Sequence, residues 1–420
     1  MISNIKHILP FIIVFISVYI PQFGSYDIIG PQWFVLSLLV FGLFILNFNK
    51  ISFSYFKSNL FIAYLVFIFL AGISLFYSTN YTLFLHDYSR VLIIFALIIV
   101  FTTYFLKSKV NFYHLSFFLS VLLLIESLYS LRPIISEVYF NGSKIFEATS
   151  INLMSLRGFT GNKNIAAASI SLKSVFLFYV IIKSKKNLYK LLFSVVLFIS
   201  TLSLFLLSAR AALLSFTIVF FIFFVYLLFF IFFKKRFVYT INLFLMLTPF
   251  LIALFLSNLL LPNKEITVAN RLSNIEFTNE SSSYRLQLWD NSLDFISSHP
   301  FIGCGLGSWK VESSYYMRNI GADYLVPYHA HNDFLEITAE LGLLGGLSYF
   351  MIFVIVALTL LKLFFNSNFK LHFFVIGSAF IVYVIDALLN FPIERPIMQI
   401  PFALIISYTL ASIKFSQNEN

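Results

Sequence analysis

Long apolar runs constrain this chain more than any other feature of its sequence. About twelve stretches approach the roughly 20 residues that a helix needs to cross a bilayer. Their approximate extents are 8–20, 32–48, 59–77, 90–106, 114–131, 164–182, 189–207, 211–232, 238–261, 335–363, 371–390 and 398–414. Only 11% of the 420 residues are charged, against roughly 25% in a soluble domain. The fold class predicted is therefore an all-α, polytopic integral membrane protein.

The runs divide the chain into five segments. Residues 1–131, 164–261 and 335–420 are predicted to be membrane-spanning, and residues 132–163 and 262–334 to form two large loops. The second loop is expected to carry short helices, because apolar residues recur at helical intervals from Ser283 to Ile296. Ser281 to Ser283 are candidate caps for that helix, and His299-Pro300 would end it.

Lysine placement sets the expected orientation. With a cytoplasmic N-terminus, the lysine-rich connections all fall on the cytoplasmic side, both termini are cytoplasmic, and both large loops lie outside. The net charge of +10 is then explained by topology, so no nucleic acid is expected as a partner. The single cysteine, Cys304, excludes an internal disulfide and a multi-cysteine metal site.

Polar side chains concentrate between Tyr328 and Gly345, where the second loop meets an apolar helix. Polar groups at a membrane boundary are costly, which favours a chemical role. In an extended approach to the helix, His329 and His331 would point to the same side. Either neutral imidazole is able to take a proton near pH 7, although a hydrogen-bonded interfacial histidine is the alternative. The histidine pair with Asp333 is a weak metal pattern, so no metal is expected.

Isolated cations lie at predicted loop boundaries. Arg210 occupies a short turn between two spans, where it either serves a site or extends to lipid phosphates. Arg285 lies on the predicted loop helix, where pairing with Asp290 or Glu280 is the simpler interpretation. Arg157 and Lys163 border the first loop and are by default solvated charges.

Three ionisable residues fall inside predicted spans, namely Glu126, Lys173 and Asp386. They would line a pathway in a transporter. A structural ion pair is the interpretation we favour for them.

These features together resemble the O-antigen ligase and O-antigen polymerase superfamily over roughly residues 155–345. His331-Asn332, followed at the family's spacing by Gly342 and Gly345, carries the most specific resemblance. The preceding loop, with YRLQLW and HPFIGCGLGSW, and the arginine of LLSAR add to it. GFTGNKN also resembles the segment that these proteins place before a central span.

The resemblance implies a glycosyltransferase of the bacterial inner membrane that uses lipid-linked glycans. His331 would be the catalytic base, and Arg210 and Arg285 would hold the donor diphosphate. Candidate supporting residues are His329, Asn332, Arg157, Lys163, Asn164 and Glu336. The implied mechanism needs neither cofactor nor metal, and it inverts the linkage.

Several functions are compatible with these residues. We favour a ligase that moves a glycan from undecaprenyl diphosphate to a lipid A-core sugar at the periplasmic face. The nearest alternative is an O-antigen polymerase, whose acceptor is a second lipid-linked glycan, and a protein O-oligosaccharyltransferase is a further relative. A transporter or lipid flippase fits the spans equally well but has no need of a base at one surface.

Overall fold

The structure is a computed structural model and describes residues 2–21, 29–51, 53–108, 110–261, 267–273, 284–317, 328–366 and 370–417. These residues form an all-helical fold. Eleven of the described helices are long and apolar enough to cross a membrane, and a shorter apolar helix lies near the N-terminus. The predicted all-α, polytopic class is confirmed, and the twelfth predicted span is this shorter helix.

Eleven long helices carry the spans. They are α2 (Ile29–Asn47), α3 (Asn59–Ile73), α4 (Tyr81–Lys107), α5 (Phe112–Asn141), α7 (Lys163–Lys183), α8 (Asn187–Leu207), α9 (Arg210–Phe232), α10 (Val238–Leu260), α14 (Asp333–Asn366), α15 (Lys370–Leu389) and α16 (Pro396–Gln417). The shorter helices are α1 (Ile2–Ile16), α6 (Ile145–Asn152), α11 (Val268–Ser273), α12 (Arg285–Ser298) and α13 (Trp309–Met317). Several spans begin after a side chain that accepts a first-turn N–H, as Ser58, Asn80 and Asn162 do.

The chain divides into two compact units. The first comprises residues 1–8, 111–274 and 378–383. Its centre is α7, which is buried from Ile165 to Ile182 and packs against α5, α8 and α9. Lys173 Nζ lies 2.8 Å from Glu126 Oε1 inside this unit. The structural ion pair favoured from the sequence is thus confirmed for these two residues.

The first predicted loop differs from expectation at its start. Helix α5 continues to Asn141, ten residues beyond the predicted boundary at 131. Pro133 lies inside α5, so neither the proline nor the neighbouring Arg132 ends the helix. Hydropathy marks where apolar residues stop, and a helix is able to project past that level.

The second unit comprises residues 9–110, 275–377 and 384–420. In it α16 and α2 pack on α4, and α14 packs on α3 and α16. Helix α12 lies against α14 through a buried cluster that includes Leu288, Phe295, Trp309 and Ala339. The cluster also holds Cys304, which packs there as a small buried residue.

Helix α12 begins at Arg285 and ends at Ser298, with His299 as its C-cap residue. The predicted loop helix and its end are therefore confirmed. Tyr284, in the left-handed region at φ 61°, precedes the first residue. The candidate caps Ser281 to Ser283 lie outside the described residues.

Gly342 interrupts α14 close to its N-terminus. Its φ of 70° and ψ of −179° are not helical. A Cβ there would lie 2.4 Å from the carbonyl oxygen of Phe301, so only glycine fits without a backbone shift. The next amide, Leu343 N, donates to Pro300 O at 2.8 Å. The motif glycine thus lets the loop before α13 dock on the helix.

Gly303 makes the reciprocal approach from the loop. A Cβ on it would lie 2.4 Å from Ala339 O. Cys304 N and Gly305 N donate to Ala339 O and Glu340 O, at 3.1 and 2.8 Å. The carbonyls that the break in α14 releases are therefore bonded by the loop. Because the loop is fixed here, α12 and the start of α14 are held together.

Candidate active site

Asn332 and His331 form the start of α14. The Asn332 Oδ1 atom accepts hydrogen bonds from Phe334 N and Leu335 N at 3.0 and 3.2 Å. Asparagine is therefore the helix cap, which gives the motif asparagine a structural role. His331, one residue earlier, has a φ of 53°. The left-handed region costs a non-glycine residue roughly 1–2 kcal/mol, so the extended approach considered for this segment does not hold at His331.

The His331 side chain is electrostatically held in its neutral form. Burial, followed by the charges of Arg285, His329 and Arg395, lowers the pKa of His331 from 6.5 to about 3, while a hydrogen bond with the Asn390 side chain raises it. Its Nδ1 atom is buried and has no hydrogen-bond partner among the described residues. A neutral imidazole with an available ring nitrogen has the chemistry of a proton acceptor.

Both histidine rings contact the aromatic ring of Phe391. The His329 ring stacks on it with centroids 4.0 Å apart, and the His331 ring meets it edge-on at 5.0 Å. The Arg395 guanidinium lies 4.5 Å from the centre of the same ring. Both histidine rings therefore contact Phe391. They reach it with His331 in the left-handed backbone conformation, and an extended strand is not needed.

Glu336 fixes the segment before α14. Its Oε1 lies 2.8 Å from His329 Nδ1, and its Oε2 accepts the Ala330 N–H at 3.0 Å. The carboxylate is buried. Both oxygens are thus occupied by the loop, so Glu336 holds the segment that carries His329.

Arg285, the first residue of α12, reaches the last loop of the chain. Its Nη2 donates to Asn390 Oδ1 at 3.0 Å. The sequence favoured Asp290 or Glu280 as its partner. The contact described here is with a residue 105 positions away. Glu280 lies outside the described residues, so pairing with it stays a prediction. Arg285 and His331 are thereby both close to Asn390.

A closed ion network lies beside this site in the second unit. Lys310 Nζ lies 2.8 Å from Asp87 Oδ2 and 2.7 Å from Glu394 Oε1. Arg90 contacts Glu394 and also Asp87, the latter at 3.4 Å. Burial lowers the pKa of Lys310, but Glu394 and Asp87 more than offset that effect, and the pKa is raised. Burial raises the pKa of Glu394, but Lys310 and Arg90 bring it well below its usual range.

One group in this region has a geometry that metal ions accept. One ligand atom each of His329, Glu336 and Glu394 lies within 4.8 Å of the others. Glu336 already bonds His329, and two cations hold Glu394. A divalent ion would have to displace an ammonium and a guanidinium from Glu394. The donor set is therefore a poor fit for a metal site.

Other predicted site residues lie in the first unit. Arg210 begins α9, and its Nε and Nη1 are buried without a hydrogen-bond partner among the described residues. The charges of Arg271 and Arg210 both act on Lys163, the first residue of α7. Asn164 follows Lys163 and donates its N–H to the cap residue Asn162. Arg157 is exposed in the segment before α7.

Sequence reasoning missed Asn390 and Phe391 as neighbours of the predicted base. It also did not assign Glu394 or Arg395 to the site. These residues follow α15 and precede α16, more than fifty positions after His331. The one available signal was a short polar turn, NFPIERP, between two spans. That signal shows neither which side chain of the turn faces His331 nor which faces Lys310.

Comparison with known protein families identifies part of the chain. Residues 193–350 match the family model described as O-antigen ligase. The matched range contains Arg210, Arg285, His331 and Gly342, and it ends before the 390–395 turn. No curated protein matches the chain. The resemblance suspected from the sequence is therefore confirmed over these residues.

Proposed function

We propose that this protein transfers a glycan from undecaprenyl diphosphate to a sugar hydroxyl of lipid A-core, at the periplasmic face of the bacterial inner membrane. The observation that carries the proposal is His331. It is a neutral, partly buried imidazole beside Arg285, at the start of a long apolar helix. It also lies within the residues that match the O-antigen ligase family model.

In this proposal His331 is the general base. The acceptor hydroxyl gives its proton to the imidazole, and its oxygen attacks the anomeric carbon. The bond between that carbon and the diphosphate oxygen breaks, and its electrons leave with the diphosphate. Attack from the face opposite the leaving group inverts the linkage. Proton removal by a positioned base contributes typically about 10²–10⁴-fold in rate.

Arg285 would hold the departing diphosphate. A guanidinium grips phosphate oxygens with two parallel hydrogen bonds and stabilises the charge that grows on them. The bound dianion would also offset the charge that Arg285 exerts on His331. The pKa of His331 then rises when donor is present, so the imidazole becomes a stronger base in the loaded enzyme.

Arg210 is proposed as the second diphosphate ligand. The resemblance supplies this assignment, and its surroundings support it, because its buried Nε and Nη1 atoms have no hydrogen-bond partner among the described residues. Buried N–H groups of that kind would be satisfied by the oxygens of a bound diphosphate. Lys163 and Arg271 add positive charge nearby. Arg157 and Asn164 are proposed to border the same anion site.

A purified system tests the chemistry. Wild-type protein in detergent, supplied with lipid-linked glycan and lipid A-core, should release one undecaprenyl diphosphate per glycan transferred, with an inverted anomeric configuration by NMR. The variant His331→Asn should fold, because asparagine tolerates the left-handed region, and should transfer about 10³-fold more slowly. Transfer by this variant at the wild-type rate would refute the base assignment.

The acceptor is tested in cells by deleting the gene and analysing envelope glycolipids. Polymer accumulating on its lipid carrier supports the ligase. Single repeat units on lipid A-core would show instead that the protein is a polymerase with the same donor chemistry.

A further inference from the structure

The turn between α15 and α16 contacts the candidate active site through the side chain of Asn390. Its backbone N–H donates to Asp386 O at 2.7 Å, so Asn390 continues the last turn of α15. Its side chain is buried. Both residues belong to the second unit, as Arg285 and His331 do, and both lie beyond the residues that match the ligase family.

Hydrogen bonding fixes which way the Asn390 amide faces. Its Nδ2 donates to Asp386 Oδ1 at 2.6 Å, and its Oδ1 accepts from Arg285 Nη2 at 3.0 Å. A guanidinium has no acceptor, so the amide oxygen must be the atom that faces Arg285. Asp386 supplies the matching acceptor for the amide NH₂. The orientation is therefore set by two charged groups on opposite sides of one side chain.

The same side chain meets the predicted base. Hydrogen bonding by the Asn390 side chain is one of the causes that act on the pKa of His331, and it favours the protonated imidazole. An acceptor oxygen has that effect, whereas a donor NH₂ would oppose it. The amide oxygen of Asn390 thus serves Arg285 and His331 together. Phe391, the next residue, holds the His331 ring from another direction at 5.0 Å.

We infer that Asn390 is a positioning residue for glycan transfer, which holds Arg285 and His331 at a fixed separation while Asp386 orients its amide. This inference rests on the proposed function of those two residues. When His331 takes the acceptor proton, it becomes a cation next to Arg285. The shared amide oxygen then accepts from both cations and keeps the imidazolium in line with the acceptor.

The test compares two substitutions that affect charge differently. Asn390→Ala removes the shared oxygen, so kcat should fall about 10- to 100-fold with KM nearly unchanged. Asn390→Asp has the same shape but adds a negative charge beside His331. In a plot of kcat/KM against pH, the fall in activity on the acid side (the acid limb) should move to higher pH. The reason is that an adjacent carboxylate raises the pKa of the imidazole. No such upward shift is expected for Asn390→Ala.

Controls distinguish a failure of the positioning role of Asn390 from a failure of the proposed glycan transfer. The exposed helix-end variant Asn366→Ala should match wild type in kcat and in pH profile. If wild type itself transfers no glycan, the proposed function fails. If wild type is active and depends on His331, but Asn390→Ala retains kcat within twofold, the positioning role is refuted. It is also refuted if Asn390→Asp leaves the acid limb unmoved.

A second variant keeps the inference testable if Asn390→Ala does not fold. Should Asn390→Ala not fold, Asp386→Asn tests the same point, since it keeps the shape but no longer dictates the direction of the amide. It should lower kcat, and an unchanged kcat in Asp386→Asn together with an unmoved acid limb in Asn390→Asp would overturn the inference.

Discussion

Two sets of cations in this protein have opposite surroundings. In the second unit, Arg90 and Lys310 face Asp87 and Glu394, so two positive charges meet two negative ones. In the first unit, the charges that act on Lys163 are those of Arg271 and Arg210, and all three are positive. Arg210 also has two buried nitrogen atoms without a hydrogen-bond partner among the described residues.

The difference separates a structural role from a binding role. A buried pair that is closed on itself has no capacity left for a ligand, and breaking it leaves an uncompensated charge. A guanidinium whose buried N–H groups have no hydrogen-bond partner among the described residues gains from binding an anion. We call Arg90, Lys310, Asp87 and Glu394 the matched set, because its positive and negative charges are equal in number. We expect the matched set to govern stability, and we expect Arg210, the unmatched cation, to govern donor binding.

The largest effect is expected from opening the matched set. Glu394→Gln leaves Arg90 and Lys310 with only Asp87, and breaking a buried pair costs about 3–5 kcal/mol of folding free energy. Thermal unfolding in detergent should show a clearly lower midpoint. The exposed Asp294→Asn, on α12, is the matched control and should unfold like wild type. An unchanged midpoint for Glu394→Gln would show that the network is not structural.

A smaller but specific effect is expected at Arg285. The variant Arg285→Lys keeps the charge but loses the two-pronged grip on phosphate. Its kcat/KM should fall about 100-fold, while its unfolding midpoint stays within the wild-type range. Arg236→Lys, at an exposed position after α9, should leave transfer unchanged. Full activity in Arg285→Lys would argue that this arginine does not bind the leaving group.

The pH profile offers a third test. Arg395 is one of the charges that lower the pKa of His331. Replacing it in Arg395→Gln makes protonation of the imidazole easier, so its pKa rises. The proposed mechanism needs neutral His331, and the acid limb of kcat/KM should therefore move to higher pH by up to about one unit. A shift in the opposite direction would contradict the electrostatic account.

The smallest effect is expected from chelation. Because Glu394 is held by Arg90 and Lys310, we expect EDTA to change the transfer rate by less than about twofold. Activity that is lost in EDTA and restored by a divalent ion would assign His329, Glu336 and Glu394 to a metal site instead.

Much of the fold follows from the sequence because the bilayer leaves few alternatives. Apolar runs predict spans, since a backbone in hydrocarbon must satisfy its own hydrogen bonds. Helix ends are less predictable, as α5 shows by continuing through Pro133 to Asn141. Proline removes one hydrogen bond, and beyond the hydrocarbon water is available to take its place.

The sequence predicts only the part of the candidate site that lies in one local pattern of residues. His331, Asn332 and Gly342 form a local pattern, and the structure gives Asn332 and Gly342 clear roles in capping and in loop docking. Asn390 and Phe391 reach His331 through tertiary packing. No residue spacing encodes such a contact, because it depends on how α15 and α16 pack in the second unit.

The most direct test of the central claim is the dissociation constant of undecaprenyl-diphosphate-linked glycan, measured by calorimetry on the purified protein. Arg210→Gln should bind this donor at least about tenfold more weakly than wild type, because one charge-assisted grip on phosphate is lost. Arg236→Gln should bind it with the wild-type constant. An unchanged constant for Arg210→Gln would contradict the assignment of the unmatched cation to the donor diphosphate.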